Sequence, residues 1–201
     1  MIDVEQVTTL HRETVDRWHR QPLDNPYQGF FQLVCRQHQF NYLLWHEEDA
    51  ARSRQVSDAR IAEVKRNIDR YNQSRNDWIE RLDDDLIRRL AESGVVTPAG
   101  APLNTETPGS VIDRLSILSL RIYHMREQAD REDAGGAHRD KALGKVAILH
   151  EQLADLSASL AQLADDIAHG RRRLKVYRQF KMYNDPALNP HLYTSPRRRA
   201  G

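Results

Sequence analysis

The chain has 201 residues, 39% hydrophobic and 29% charged, and its 30 Lys and Arg against 29 Asp and Glu give a formal net charge of +1. That length fits one domain with a substantial core, and the balanced charge excludes a global field that would steer the protein onto nucleic acid or a membrane surface. No apolar run approaches the ~20 residues of a membrane span.

The hydrophobic share lies below the usual ~45–50% of a globular domain, as long helices with one wet face would make it. The start Met1-Ile2-Asp3-Val4-Glu5 carries neither the basic nor the apolar region of a secretory leader, so a cytoplasmic location is expected. Cys35, the single cysteine, sits in Phe30-Phe31-Gln32-Leu33-Val34-Cys35 and reads as a small buried hydrophobe in a reducing compartment. Arg171-Arg172-Arg173 follows a helix end, where cations complement the dipole. Arg197-Arg198-Arg199 reads as a solvated tail. The expected domain spans 1–196, with 197–201 as a basic tail.

Taken in chain order, Val4, Val7, Leu10 and Trp18 recur at helical spacing and predict a first helix ending near Gln21-Pro22. Asn25-Pro26 reads as the cap and first residue of a second helix reaching about Arg54. Ser57 caps a third, with Ile61, Val64, Ile68, Tyr71, Trp78, Leu82, Leu86 and Leu90 on one side and Ser93-Gly94 as its stop; at ~1.5 Å per residue it is about 50 Å long. Residues 95–106 form the clearest loop. Thr107-Pro108 opens a fourth helix through Leu115, Leu118, Ile122 and Met125 that fades at Gly135-Gly136. A fifth is predicted from about Asp140 to His169, with a 3-4 repeat running from Val146 to Ile167 and Gly170 at its end. The aromatic, turn-rich stretch from Tyr177 onward predicts a short helical turn and then a segment wrapped over the bundle. Nothing supports a sheet. The fold class is all-α, a single-domain bundle of about five long helices with an irregular C-terminal segment.

Several polar residues break the apolar faces. The second helix is apolar nearly all round yet carries His38, Asn41, His46 and Asp49; the fourth is similar and carries Asp113 and His124. Asn72 and Asn76 run along the margin of the third helix's apolar stripe, although asparagine is a poor interior helix residue. Isolated burial of such groups is costly, so His46, Asp49, Asn72, Asn76, Asp113 and His124 are expected to converge on one polar pocket. That pocket is either a structural network or a ligand site with His46 or His124 as catalytic acid and base. His46-x-x-Asp49 and Glu80-x-x-Asp83 also have one-face spacing, and carboxylates suit Mg²⁺ or Mn²⁺, with Asp49 and Glu80 as the expected metal ligands. This pairing is distantly similar to the all-α nucleotide pyrophosphohydrolases, whose first motif is ExxE where this chain has His46-x-x-Asp49. No Walker loop, HExxH, CxxC cluster, GxGxxG or GxSxG element is present.

Four strings carry a closer resemblance: Asn41-Tyr42-Leu43-Leu44-Trp45-His46-Glu47-Glu48-Asp49, Asn72-Gln73-Ser74-Arg75-Asn76-Asp77, Leu103 to Ser110, and Lys181-Met182-Tyr183-Asn184-Asp185-Pro186. In this order they resemble the bacterial family called domain of unknown function 4254. The resemblance implies a helical bacterial protein and transfers no catalytic residues. Its members' association with genes for cell-envelope glycans and glycosyltransferases implies a protein that assists that metabolism, with a phosphosugar or nucleotide-sugar ligand or a glycosyltransferase partner. A metal-dependent phosphohydrolase is the alternative. The long helices and low apolar content also suggest a homodimer.

Overall fold

A computed structural model describes residues 2–53, 55–182 and 185–193, so the basic tail and the Tyr183-Asn184 part of the last motif lie outside the described residues. Among the described residues there are six helices: α1 Val4–Trp18, α2 Gly29–Arg52, α3 Asp58–Glu92, α4 Pro108–Ala129, α5 Gly136–Ala168 and the short α6 Pro190–Tyr193. None is long and apolar enough to cross a membrane. Among the described residues one isolated β-bridge joins Leu103 and Arg173.

Local chemistry sets most of the helix ends. Asp3 caps α1 by accepting from the Gln6 N–H at 2.9 Å, Ser57 caps α3 through the Arg60 N–H, and Thr107 caps α4 ahead of Pro108; each satisfies a donor the helix itself leaves free. Gly94 and Gly170 sit just past α3 and α5 with φ of +70° and +66°, the left-handed conformation that glycine adopts without a side-chain clash.

Four expectations needed correction. α4 ends at Ala129, where the Asp130 N–H donates to the Arg126 carbonyl, instead of fading at Gly135-Gly136. α2 begins at Gly29, not at Pro26, because Asn25 spends its amide on the loop, donating to the Gln32 carbonyl and accepting from the Tyr27 N–H. α5 begins at Gly136, four residues early: the Gly135 carbonyl accepts from the His138 and Arg139 N–H groups and starts the helix without a side-chain cap. Tyr177 to Met182 forms no helical turn, and the short helix expected in this stretch comes later, as α6 at Pro190–Tyr193. Arg178 reaches Glu80 and Asp84 of α3 at 2.9–3.0 Å, and the Gln179 N–H donates to Glu80 at 2.8 Å, which pins this strip along α3.

The closest helix packing is α2 on α3 and α4 on α5, with α1 wedged against α4, α2 and α5. Val7, Leu10, Trp18, Phe30, Val34, Leu82, Leu86, Ile112, Leu115 and Leu160 fill the main core, and Leu44, Val64 and Ile68 form a smaller one between α2 and α3. Burying a side chain of this size contributes roughly 1.5–3 kcal/mol.

α3 and α4 pack tightly at Gly109. Its N–H donates to Asp83 Oδ1 at 2.7 Å, and an added Cβ would stand 2.7 Å from the Ile79 carbonyl oxygen. Backbone cannot yield there as a flexible side chain could. Gly109→Ala should therefore cost about 1–3 kcal/mol, lowering the urea midpoint; an unchanged midpoint would show that the helices are not packed this tightly.

Burial pushes the Asp83 carboxyl up to about 6, with Asp84 and Glu80 adding to the shift against the Thr107 and Gly109 hydrogen bonds. A raised carboxyl favours folding while protonated, so this contribution is present below pH ~4 and is lost as pH rises through 6. Asp83→Asn keeps an acceptor for Gly109 and has no charge to bury. It should gain on wild type by about 2–3 kcal/mol between pH 4 and 7; a constant difference across that range would contradict the assignment.

Candidate metal centre

Three helices bring one histidine each to a single point. His19 is the residue that ends α1, and its position is set by Trp18, whose indole N–H donates to Asp24 at 2.9 Å and whose carbonyl accepts from the Tyr42 hydroxyl at 2.9 Å. His46 lies one turn beyond Tyr42 on α2, and the two rings meet edge-on at 4.4 Å. His124 lies on α4 under Trp45, with the rings stacked at 4.7 Å and 5°. Tyr123 closes the other side by stacking on His19 at 4.0 Å. One ligand atom from each of His19, His46 and His124 falls within 4.8 Å of the others, and this is the one such metal-ligand group among the described residues.

The hydrogen bonds fix which nitrogens face inward. His19 Nδ1 lies 2.7 Å from the Val15 carbonyl and His124 Nδ1 lies 2.7 Å from a Glu127 carboxylate oxygen. Both partners only accept, so each Nδ1 donates its proton there, which in a neutral ring leaves Nε2 with a bare lone pair. The Nε2 atoms of all three histidines are buried and have no hydrogen-bond partner. Burial, then His19 and His124, hold His46 below its ordinary value against the pull of Asp49 and Glu127, which keeps its ring neutral near pH 7.

Lone pairs packed together without a donor are an unfavourable arrangement, and a cation reverses its sign. Holding the far nitrogen on a carbonyl or carboxylate, as for His19 and His124, is how proteins prepare histidine for zinc. Tetrahedral bonds of 2.0–2.1 Å place such nitrogens about 3.4 Å apart, so closing around an ion requires shifts of up to about 1.4 Å, within reach of side-chain rotation. Imidazole donors favour zinc, copper, nickel, cobalt or ferrous ions over Mg²⁺ and Mn²⁺.

The other predicted residues lie elsewhere. Asp49 and Asn72 line a groove of about 290 Å³ with Arg52, Arg75 and Trp45. Asn76 and Glu80 line a separate one of about 180 Å³ beside Asp83. Glu80 is already engaged by Arg178 and Gln179, so Asp49 and Glu80 do not share a site. Asp113 accepts from Gln37 at 2.6 Å and Asn41 at 2.8 Å, inside a network that also joins Ser116 to Asn41 and His38. Eleven residues along α4 put Asp113 and His124 about 16 Å apart. The six polar residues thus occupy several places instead of one pocket. His46 and His124 do meet, and His19, which the sequence reading left out, completes their cluster.

Fold and cluster together define an all-α bundle protein with three inward-facing imidazoles. The chain belongs to the family described as Protein of unknown function (DUF4254), whose model matches residues 31–176 and so includes His46 and His124, while His19 precedes the matched stretch. No curated protein and no solved structure matches the chain.

Proposed function

We propose that this chain is a metalloprotein that holds one divalent ion of the zinc class between His19, His46 and His124. The observation that carries this reading is the meeting of one ligand nitrogen from each of three histidines, whose Nε2 atoms are all buried without a hydrogen-bond partner. An ion there would tie the end of α1 to α2 and α4. Asp49, one turn beyond His46, is exposed and acts on it electrostatically, as Glu127 does.

The groove beside the centre takes the ligand in this reading. Trp45 forms part of its wall and stacks on His124, so the state of the metal is felt where the ligand sits. Arg52 and Arg75 suit a phosphoryl group, Asn72 and Asp49 suit hydroxyls, and Trp45 offers an apolar face. A phosphosugar-type ligand matches that chemistry and keeps the protein within the glycan metabolism that the family resemblance implies.

Isothermal titration of the metal-free protein with Zn²⁺ tests the centre. One equivalent should bind, and His19→Ala, His46→Ala and His124→Ala should each abolish the tight phase while the far-UV spectrum stays helical. Tight binding that survives all three substitutions would remove the proposal.

A further inference from the structure

The cavity of about 180 Å³ beside Asp83 is walled by α3, by the start of α4 and by the strip that Arg178 pins along α3. A water molecule takes up about 30 Å³ of liquid, so the space suits roughly six waters, or a ligand of about four to six non-hydrogen atoms. Its wall contains no Lys, Arg or His, and its two charged members are Glu80 and Asp83. Glu80 is committed: Oε1 accepts from the Gln179 N–H and Oε2 from Arg178, which also pairs with Asp84. Thr105, Thr107 and Ser110 add hydroxyl groups.

Two side chains in this wall lack what burial requires. Asp83 is 2% exposed and accepts from the Gly109 N–H at 2.7 Å, yet among the described residues no cation stands within salt-bridge distance of it. Burial pushes its carboxyl up to about 6, with Asp84 and Glu80 adding to the shift, and Arg178 is spent on those two. Asn76 is 7% exposed, and among the described residues no hydrogen bond reaches its side-chain amide. Both states are costly, and the cost falls when a ligand brings the missing donor and the missing positive charge.

We infer that this cavity is a second ligand site, distinct from the histidine centre and its groove, for a small primary amine whose ammonium group sits between Asp83 and Asn76. An ammonium carries three N–H donors and no acceptor. The Asp83 carboxylate, the Asn76 carbonyl oxygen and a hydroxyl of the wall supply the acceptors, and Asp83 supplies the counter-charge. The same wall rejects the other classes. An anion finds no cation there, and a neutral alcohol leaves Asp83 without a counter-ion. A divalent metal ion draws on several oxygen ligands, and Asp83 is the one carboxylate of the wall not already engaged by a cation.

Calorimetric titration of the metal-free protein with ethanolamine, putrescine, ethylene glycol and acetate tests it. At pH 7.5 one equivalent of at least one amine should bind ten-fold or more tighter than ethylene glycol, which differs from ethanolamine by a single group, or than acetate. Below pH 6 Asp83 takes up a proton and the ammonium loses its counter-charge. Glu80 and Asp84 on α3 are held by Arg178 of the strip, and the Thr107 hydroxyl and Gly109 N–H that face Asp83 from α4 do not titrate, so affinity should fall about ten-fold between pH 7 and pH 5. Asp83→Asn should weaken the amine at least ten-fold and remove this pH dependence. Asn76→Leu should weaken it several-fold without lowering the melting temperature, since it removes an unpartnered buried amide. Ethylene glycol binding as tightly as both amines, undiminished amine binding to a folded Asp83→Asn variant, an affinity that does not change with pH, or no binding of either amine to the folded wild type would overturn the inference.

Discussion

Between pH 7.5 and 4.5 the unfolding free energy of the wild type should fall by about 2.7 kcal/mol more than that of His11→Leu. Burial pushes His11 down to about 3, and it pushes His38 well down, with His11 adding to the shift. The sign follows from proton counting. Below 6.5 the unfolded chain protonates these imidazoles and the folded chain does not, so their contribution is complete above the unfolded value and is lost as pH falls toward the folded one. Each such histidine costs about 1.4 kcal/mol per pH unit. The raised carboxyl of Asp83 works in the opposite direction over part of this range, so the wild-type curve alone understates the effect and the comparison with the variant isolates it. Urea unfolding at pH 7.5, 6.5, 5.5 and 4.5 measures the difference; parallel curves would show that His11 titrates normally in the fold.

The second large effect is on thermal stability. An ion that binds only the folded chain stabilises it by about 2.7 kcal/mol at one hundred times its dissociation constant, and each kcal/mol moves the midpoint of a protein this size by about 2–4 °C. Zn²⁺ should therefore raise the melting temperature by roughly 5–10 °C at that excess, chelator should reverse the rise, and Mg²⁺ at the same concentration should not reproduce it. His124→Ala should show no rise. Glu127→Gln leaves the ligands intact and should lower zinc affinity about 10–100-fold, because the carboxylate holds His124 in the metal-binding tautomer. A Zn²⁺ response in His124→Ala as large as in the wild type would place the metal elsewhere.

What could be read from the sequence follows the range of the forces involved. Helix ends such as Ser57, Thr107-Pro108 and Gly170 were legible because a cap or a left-handed turn depends on residues within one turn of chain. The start of α2 was not: Asn25 has the residue type of a cap, but it is used by Gln32 and Tyr27, partners that exist only once the loop has folded back. The same limit governs the centre. His46 and His124 stood out because each interrupts an apolar helix. His19 sits just beyond the last residue of α1, shares no spacing with the other two, and joins them only because Asp24 and Tyr42 fix Trp18 beside it. Three ligands from three helices leave no periodic signature. Glu80 shows the reverse case, a residue with plausible metal spacing whose carboxylate is taken by Arg178, 98 positions away.

The most direct test of the three-imidazole centre is X-ray absorption at the zinc edge on protein loaded with one equivalent of Zn²⁺. The structure predicts a first shell containing three imidazole nitrogens at about 2.0–2.1 Å, with the multiple scattering of histidine rings, and a fall to fewer imidazoles in His19→Ala. A shell of oxygens alone, or an imidazole count that does not change in His19→Ala, would contradict it.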